Sequence, residues 1–497
     1  MAESREKFEM EESVDSLSHQ TPQRSLIYKL LKTFCIILVW LCIGFWSEVN
    51  GATFQDLMFL TSSNYETLSR AISMRGAGGL CGCLLGGGYI VDRFHTKVEL
   101  ILAVSLVICA SLNTAVPYCP YIEGLFVIYI LEGWAEALIN IGGQVIIMDI
   151  WKDKASGPLH IIHLGYGAGS FIVPQIVKGF ISEKLPSDDT AVTNPACAET
   201  ATFLNTTNKF NFNNTLIANT SLANTTLVNS TTVFPTTTVE EQSQTVQFGF
   251  LIISGCIVGI ALVWFFFFFC DKKEDSSSNK KEEVQNKTSL KEIFNFNTCS
   301  PGHPYFAFLL YVMLFFWIYV AVAGERIGAK YLYSYARGWA CFSKDEAADI
   351  LTAYWISFTA GRFVGFVAGN FVPMKFIIFI EGFGNLAFAL VLFFFGENKY
   401  VLWVCICGLG LLIGPCYPSG LAWANRYMVV TATGVTVLSV AAGVSDLSFL
   451  TAIGYFAERV GIQIMTTFFL GYGIVVSVLP IVMQSIACTR GDRFENN

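Results

Sequence analysis

Apolar stretches of similar length recur along nearly the whole chain, and this regularity limits the fold more than any other feature. A helix needs about 20 mostly apolar residues to cross a bilayer. Twelve stretches meet that requirement, near 30–50, 67–91, 98–116, 123–148, 157–181, 247–270, 304–324, 348–371, 374–396, 400–424, 431–455 and 462–486. Charged residues make up 14% of the chain and hydrophobic ones 53%, whereas soluble domains carry about 25% charged residues. That deficit excludes a soluble enzyme and fits a polytopic membrane protein. No basic face accompanies the net charge of −7, so nucleic acid is not a partner. The expected partners are the lipid bilayer and a small-molecule solute, with the chain a monomer.

Two hydrophilic interruptions organise the series. Residues 184–245 are rich in Thr and Asn and hold sequons at Asn205, Asn213, Asn219, Asn224 and Asn229. Sequons are glycosylated only on the lumenal side, so this loop is expected outside the cell. Residues 271–301 are rich in Lys and Glu and read as a cytosolic linker. The remaining pieces are a cytosolic disordered tail at 1–27, spans one to five at 28–183, the sixth at 246–270, spans seven to twelve at 302–487, and a cytosolic tail at 488–497. The first tail is acidic and lacks the basic start of a cleavable signal peptide. Lys and Arg concentrate in cytosolic loops of membrane proteins. Arg93, Lys97, Lys152, Lys154 and the linker lysines follow that rule if both termini are cytosolic. The stretch 326–344, with Arg326, Lys330, Arg337 and Lys344, is read as an outer loop and is the exception. The plasma membrane is the expected location.

A faint repeat relates the two sets of six spans. Arg75-Gly76 in the second answers Gly361-Arg362 in the eighth, and the Gly157/Gly165 spacing of the fifth answers Gly434/Ala442 in the eleventh. Repeats in parallel register place a binding site near the midplane, between the halves.

Several polar residues stand out against the apolar background. Glu132, Glu136, Asn140 and Gln144 recur every fourth residue in the fourth span and so share one face. Polar side chains at such depth face a cavity or a neighbouring helix, and Asn140 and Gln144 are read as lining a cavity. In the tenth span, GPCYPSGLAWANRY offers Tyr417, Trp423 and Asn425 for stacking on and hydrogen-bonding a sugar, with Pro415 and Pro418 breaking the helix. Arg362 requires an acid, which Glu325 or Glu381 could supply. Glu325 and Asp446 are the acids expected to couple to a cation. His160 and His163 lack a third ligand at metal spacing, so no metal site is expected. Most cysteines lie in apolar runs; a disulfide among Cys119, Cys197 and Cys341 remains open. No G-x-S-x-G, H-E-x-x-H or P-loop is present, and no enzymatic activity is expected.

The stretch GGGYIVDRFHTK carries the most specific signal: Gly88, then Asp92-Arg93, then Lys97. It resembles the cytoplasmic turn between the second and third helices of the major facilitator superfamily. Within that superfamily the chain resembles the sodium-dependent glucose transporter-like group, also called major facilitator superfamily domain-containing protein 4. The matching pieces are GATFQDL at 51–57, GGGYIVD at 86–92, HLGYGAGSFIVP at 163–174, WISFTAGRFVG at 355–365, LGLLIGPCYPSGLAW at 409–423 and AAGVSDLSFL at 441–450. The resemblance implies an all-α membrane fold of two six-helix halves related by a pseudo-twofold repeat. It implies that Gly88, Asp92, Arg93 and Lys97 gate the inner side. It also implies hexose uptake such as that of glucose, by alternating access, with Na⁺ as the one candidate coupling ion and no other cofactor. The chain departs from the group in the fourth span, where Ile139-Asn140 and Gln144 replace an Asp-Thr pair and an Asn, and in Ser445-Asp446, which replaces Gly-Glu. A transporter of the same fold for an organic anion, with Arg75 or Arg362 meeting the charge, and a non-transporting receptor are the alternative readings.

Overall fold

The computed structural model describes residues 26–83, 90, 91, 94, 97–152, 156–182, 245–271, 303–428 and 432–489. All regular structure among them is helical. The first set of helices is α1 (Leu26–Ala52), α2 (Phe54–Leu60), α3 (Tyr65–Cys81), α4 (Val98–Ala115), α5 (Ile122–Trp151), α6 (Ser156–Val177) and α7 (Val246–Asp271). The second is α8 (Pro304–Gly338), α9 (Lys344–Ala368), α10 (Met374–Phe395), α11 (Lys399–Ile413), α12 (Cys416–Tyr427), α13 (Ala432–Val460) and α14 (Ile464–Ala487). Nine helical segments among the described residues are long and apolar enough to cross a membrane, and Ile161–Val177 is a shorter apolar one.

Local chemistry sets several boundaries. Asn64 starts α3 with a capping box closed by Thr67, and Ser343 starts α9 with one closed by Glu346. Asn398 accepts from the backbone of Tyr400 and Val401 and starts α11. The tenth span is two helices, because Pro415 and Pro418 have no backbone N–H to continue the ladder. Large apolar side chains such as Phe248, Leu262, Phe266 and Phe269 on α7, and Ile380 and Phe394 on α10, are exposed. Aqueous solvent would penalise a shell of this kind, and a lipid solvent would not.

One boundary requires correction. Hydropathy fades at Gly324, so 326–344 reads as a loop. Instead α8 runs unbroken to Gly338 and carries Arg326, Lys330 and Arg337 inside it. Lys330 and Arg337 are buried. The apparent exception to the charge rule is therefore a buried cationic face. Of the cysteines weighed for a disulfide, Cys341 is disulfide-bonded and Cys119 is free. The gating residues Gly88, Asp92 and Arg93, the five sequons, the linker and both tails up to 25 and from 490 lie outside the described residues.

The two sets of helices meet along α1 with α8, α3 with α13, and α6 with α9. Small residues let the backbones approach there. A Cβ on Gly51 would come within 2.0 Å of the Ala329 carbonyl oxygen, and one on Gly76 within 2.6 Å of the Gly443 carbonyl oxygen. The repeat seen in the sequence has a packing meaning. Arg75 reaches Glu136 on α5, while Arg362 reaches the Gly414 carbonyl at the α11–α12 break.

Candidate substrate and coupling site between the halves

The interface along α1, α6, α8 and α13 buries a charged network. Glu48, on α1, has a fully buried side chain. Its Oε2 accepts from Lys330 Nζ at 2.9 Å, and its Oε1 accepts from the Arg326 guanidinium at 3.2 Å. The Tyr166 hydroxyl lies 2.9 Å from Glu48 Oε1 and 3.1 Å from Glu325 Oε1 and shares its single proton between them. Arg326 also donates through Nε to Asp446 Oδ1 at 2.6 Å. One arginine thus ties α8 to acids on α1 and α13. Glu325 adds a looser pair with Arg362 at 3.9 Å. Of the two acids weighed for Arg362, it is therefore Glu325 and not Glu381 that meets it. Arg362 in addition packs over the Phe358 ring, 4.6 Å from its centroid. Beside this group, Arg75 donates to Glu136 Oε2 through Nε at 2.7 Å.

Charges at such depth persist only when paired. Here four acids, Glu48, Glu136, Glu325 and Asp446, face four cations, Arg75, Arg326, Lys330 and Arg362, so the charges of the network balance. Glu325 and Asp446, the acids singled out for cation coupling, both lie inside this network and are engaged by arginines in this conformation.

The proposed solute contacts divide into two groups. Asn140 and Gln144 on α5 and Tyr417 on α12 are half-buried, and none makes a side-chain hydrogen bond among the described residues. Their polar groups are unclaimed. Trp423 is fully buried, and its indole N–H donates to Gln484 on α14 at 3.0 Å. Asn425 is exposed near the end of α12. Lys97, the described member of the gating set, is exposed and precedes α4. His163 stacks edge-on against Trp40 at 5.9 Å. No group of three or more His, Cys, Asp or Glu residues suited to a metal occurs among the described residues.

Sequence reasoning missed Glu48, Tyr166, Arg326 and Lys330. Glu48 had a usable signal, since an acid inside WLCIGFWSEVN is an intramembrane charge and a functional candidate by default. Arg326 and Lys330 are four apart and face one side of a helix, but their position after the hydropathy maximum disguised that helix as a loop.

A second kind of contact also joins the halves, at the end of the bundle where Ser182 and Thr245 flank the sequon-bearing segment. Arg459 on α13 donates to Glu66 on α3 at 2.7 Å, and the Tyr65 backbone N–H donates to Glu458 at 3.1 Å. Lys178 and Gln175, at the end of α6, donate to Asp349 on α9 at 2.8 and 3.0 Å. In this conformation that end is bridged on both flanks.

The fold has known counterparts. It superposes on the xylose transporter XylE from E. coli, in a partially occluded inward-open conformation, with a TM-score of 0.60 and 10% identity, covering 91% of this chain and 98% of that one. The nucleoside transporter NupG gives 0.55 at 11% identity, covering 92% and 98%. The fold is that of the major facilitator superfamily. By sequence the chain is 23% identical to the human sodium-dependent glucose transporter 1 over 452 residues, which is 91% of this chain and 78% of the relative. It is 22% identical to human major facilitator superfamily domain-containing protein 4A over 455 residues, 85% of this chain and 84% of the relative. No family model matches the chain. The glucose transporter relative and both solved neighbours are named as transporters. With that fold and nine described helical segments long and apolar enough to cross a membrane, the chain is a multi-pass integral membrane protein.

Proposed function

We propose that the protein carries a neutral, polyhydroxylated solute, a hexose such as glucose, across the plasma membrane by alternating access, coupled to Na⁺. The observation that carries this reading is the contrast at the interface between the halves. Arg75 and Arg362, the cations that an organic anion would need, already face Glu136 and Glu325. Asn140, Gln144 and Tyr417 keep their hydrogen-bonding groups unclaimed. A sugar offers many hydroxyls and no charge, which suits unclaimed amides and a phenol, whereas among the described residues Arg75 and Arg362 are already paired. The names of the sodium-dependent glucose transporter relatives support the same substrate and ion.

In this reading the sequon-bearing end is extracellular, both termini are cytosolic, and the protein works as a monomer. The bridges at Glu66–Arg459 and Lys178–Asp349 then close the outer side, and the inner turn around Asp92-Arg93 closes the opposite side when the halves rock. The test is uptake of labelled glucose into proteoliposomes holding the purified protein, with Na⁺ or with choline outside. Saturable uptake stimulated by Na⁺ is expected. Uptake of a carboxylate with none of glucose overturns the hexose reading, and glucose uptake indifferent to Na⁺ removes the coupling.

A further inference from the structure

Four carboxylates in the described residues are buried: Glu48, Asp56, Glu132 and Glu381. Glu48 is saturated by Lys330, Arg326 and Tyr166. Asp56 accepts from the Ser182 backbone and has Arg337 and Lys344 near it, and Glu132 has Arg75 and Lys330 near it, although each keeps one buried oxygen without a partner. Glu381 differs. It is 2% exposed, and among the described residues no lysine, arginine or histidine pairs with it. Its Oε1 accepts from Ser419 Oγ at 2.6 Å, and its Oε2 is buried with no partner. One turn along α10, Asn385 is fully buried, and its Nδ2 donates back to the Glu381 carbonyl at 2.8 Å. That bond fixes the amide and leaves Asn385 Oδ1 as a second buried acceptor without a donor. Ser419 sits in the first turn after the α11–α12 break, where Pro415 and Pro418 interrupt the backbone ladder.

An unpaired carboxylate in a low-dielectric interior costs far more than any single hydrogen bond returns. What is missing is positive charge, as a proton on the carboxyl or as a bound cation, together with groups that satisfy the two acceptor oxygens. We propose that Glu381, Asn385 and Ser419 form a monovalent-cation site, taken by Na⁺, that lies inside the second half and apart from the Arg326 network. Hard cations prefer carboxylate, amide and hydroxyl oxygen, and one carboxylate matches one positive charge. Broken helices are where membrane carriers present oxygens to such ions. The location also supplies a route for coupling. An ion held between Glu381 and Ser419 fastens α12 to α10, and Tyr417 lies two residues before Ser419 on that same helix. This inference rests on the Na⁺-coupled reading above and assigns the residues that would carry it.

The test combines binding and uptake on the full-length protein in nanodiscs and in proteoliposomes. Binding of ²²Na⁺ is measured for the parent protein, Glu381→Gln and Ser419→Ala, with choline as the competing control. Ser419→Ala removes a single oxygen and guards against misfolding of the first variant. Saturable ²²Na⁺ binding is expected in the parent, with loss in Glu381→Gln, at least about tenfold weakening in Ser419→Ala, and glucose uptake that no longer responds to Na⁺ in Glu381→Gln. Parent-like ²²Na⁺ binding in both variants overturns the site while leaving Na⁺-coupled transport intact. A parent that binds no ²²Na⁺ and takes up glucose equally in choline overturns the coupling reading and the site with it. Uptake that responds to pH instead, with no ²²Na⁺ bound, overturns the identity of the ion.

Discussion

Two sets of ion pairs join the halves, and they differ in solvent. In the middle of the bundle, Glu48 and Lys330 are at most 3% exposed, and Arg326 bridges acids on α1 and α13. At the sequon-bearing end, Arg459 and Asp349 are each nearly half exposed as they pair with Glu66 and Lys178. Distances barely distinguish the two sets. Burial does, because water screens and replaces the outer pairs but reaches the inner ones far less, Arg326 and Asp446 being 17% and 18% exposed. A carrier that must open and close one end needs pairs there that break at low cost. The inner pairs have the opposite property: once assembled, the loss of any single member strands the others. Under the alternating-access reading proposed above, the difference suits the middle network to holding the halves in register and the end pairs to a latch.

The largest expected effect follows from that stranding. Arg326→Leu leaves Asp446 without its 2.6 Å partner and weakens the hold on Glu48 and Glu325. Removing one member of a buried pair costs about 3–5 kcal/mol, so the purified variant should melt well below the parent and take up no glucose. Adding Asp446→Leu to it should restore part of the melting temperature, since deleting both partners removes the uncompensated charge. A double variant less stable than Arg326→Leu alone would mean that Asp446 contributes through packing and not through this pair.

How much of this was legible beforehand follows the same divide between apolar pattern and buried charge. The helical class and the broken tenth span could be read directly, since they depend on hydropathy and on proline. Glu325 and Asp446 were visible as acids, but Arg326 was not visible as their partner. Nothing local in GERIGAKYLYSYARG marks a helix interior, because its apolar face is short and its charges are satisfied by residues hundreds of positions away. Glu48 with Lys330 is a pair of the same long-range kind, 282 positions apart, while Arg75 with Glu136 spans 61. Trp423 shows the limit in the other direction. Its composition suits sugar stacking, whereas its indole is buried against Gln484.

Backbone contact around the network should give the next largest effect. Gly76 leaves no room for a side chain, with the Gly443 carbonyl 2.6 Å and Asp446 Cβ 3.1 Å from where a Cβ would sit. Overpacking of this kind typically costs about 1–3 kcal/mol. Gly76→Val should lower the melting temperature and depress uptake, while Gly255→Val on α7, where nothing lies within 4 Å, should do neither. Equal behaviour of the two would separate the α3–α13 contact from function.

Asp56 lies at the latch end yet is buried, and so tests whether position or burial governs. Burial pushes its carboxyl up to about 6, against the lowering by the Ser182 backbone N–H that it accepts at 3.0 Å. The folded protein therefore holds this proton at a higher pH than the unfolded chain does. Stability should rise as pH falls through about 6 and level off once the unfolded chain is protonated too, near pH 4. Melting temperatures across that window should show the rise in the parent and a flatter profile in Asp56→Asn. Identical profiles would remove Asp56 as the source.

The smallest effect belongs to the latch. Asp349 Oδ1 accepts from both Lys178 and Gln175, so Asp349→Asn retains an acceptor oxygen and removes the charge. A half-exposed pair is worth about 0.2–1 kcal/mol, which is at most about a fivefold change in the ratio of closed to open forms. Asn50, near the latch end of α1, is buried in the closed form. A cysteine there should react with a membrane-impermeant maleimide only when that end opens. Asp349→Asn should raise its labelling rate by no more than that factor, and the difference should vanish in about 1 M salt, where the screening length shrinks to about 3 Å. A much larger increase that survives salt would place Lys178–Asp349 with the buried network, and the division between register and latch would not hold at this pair.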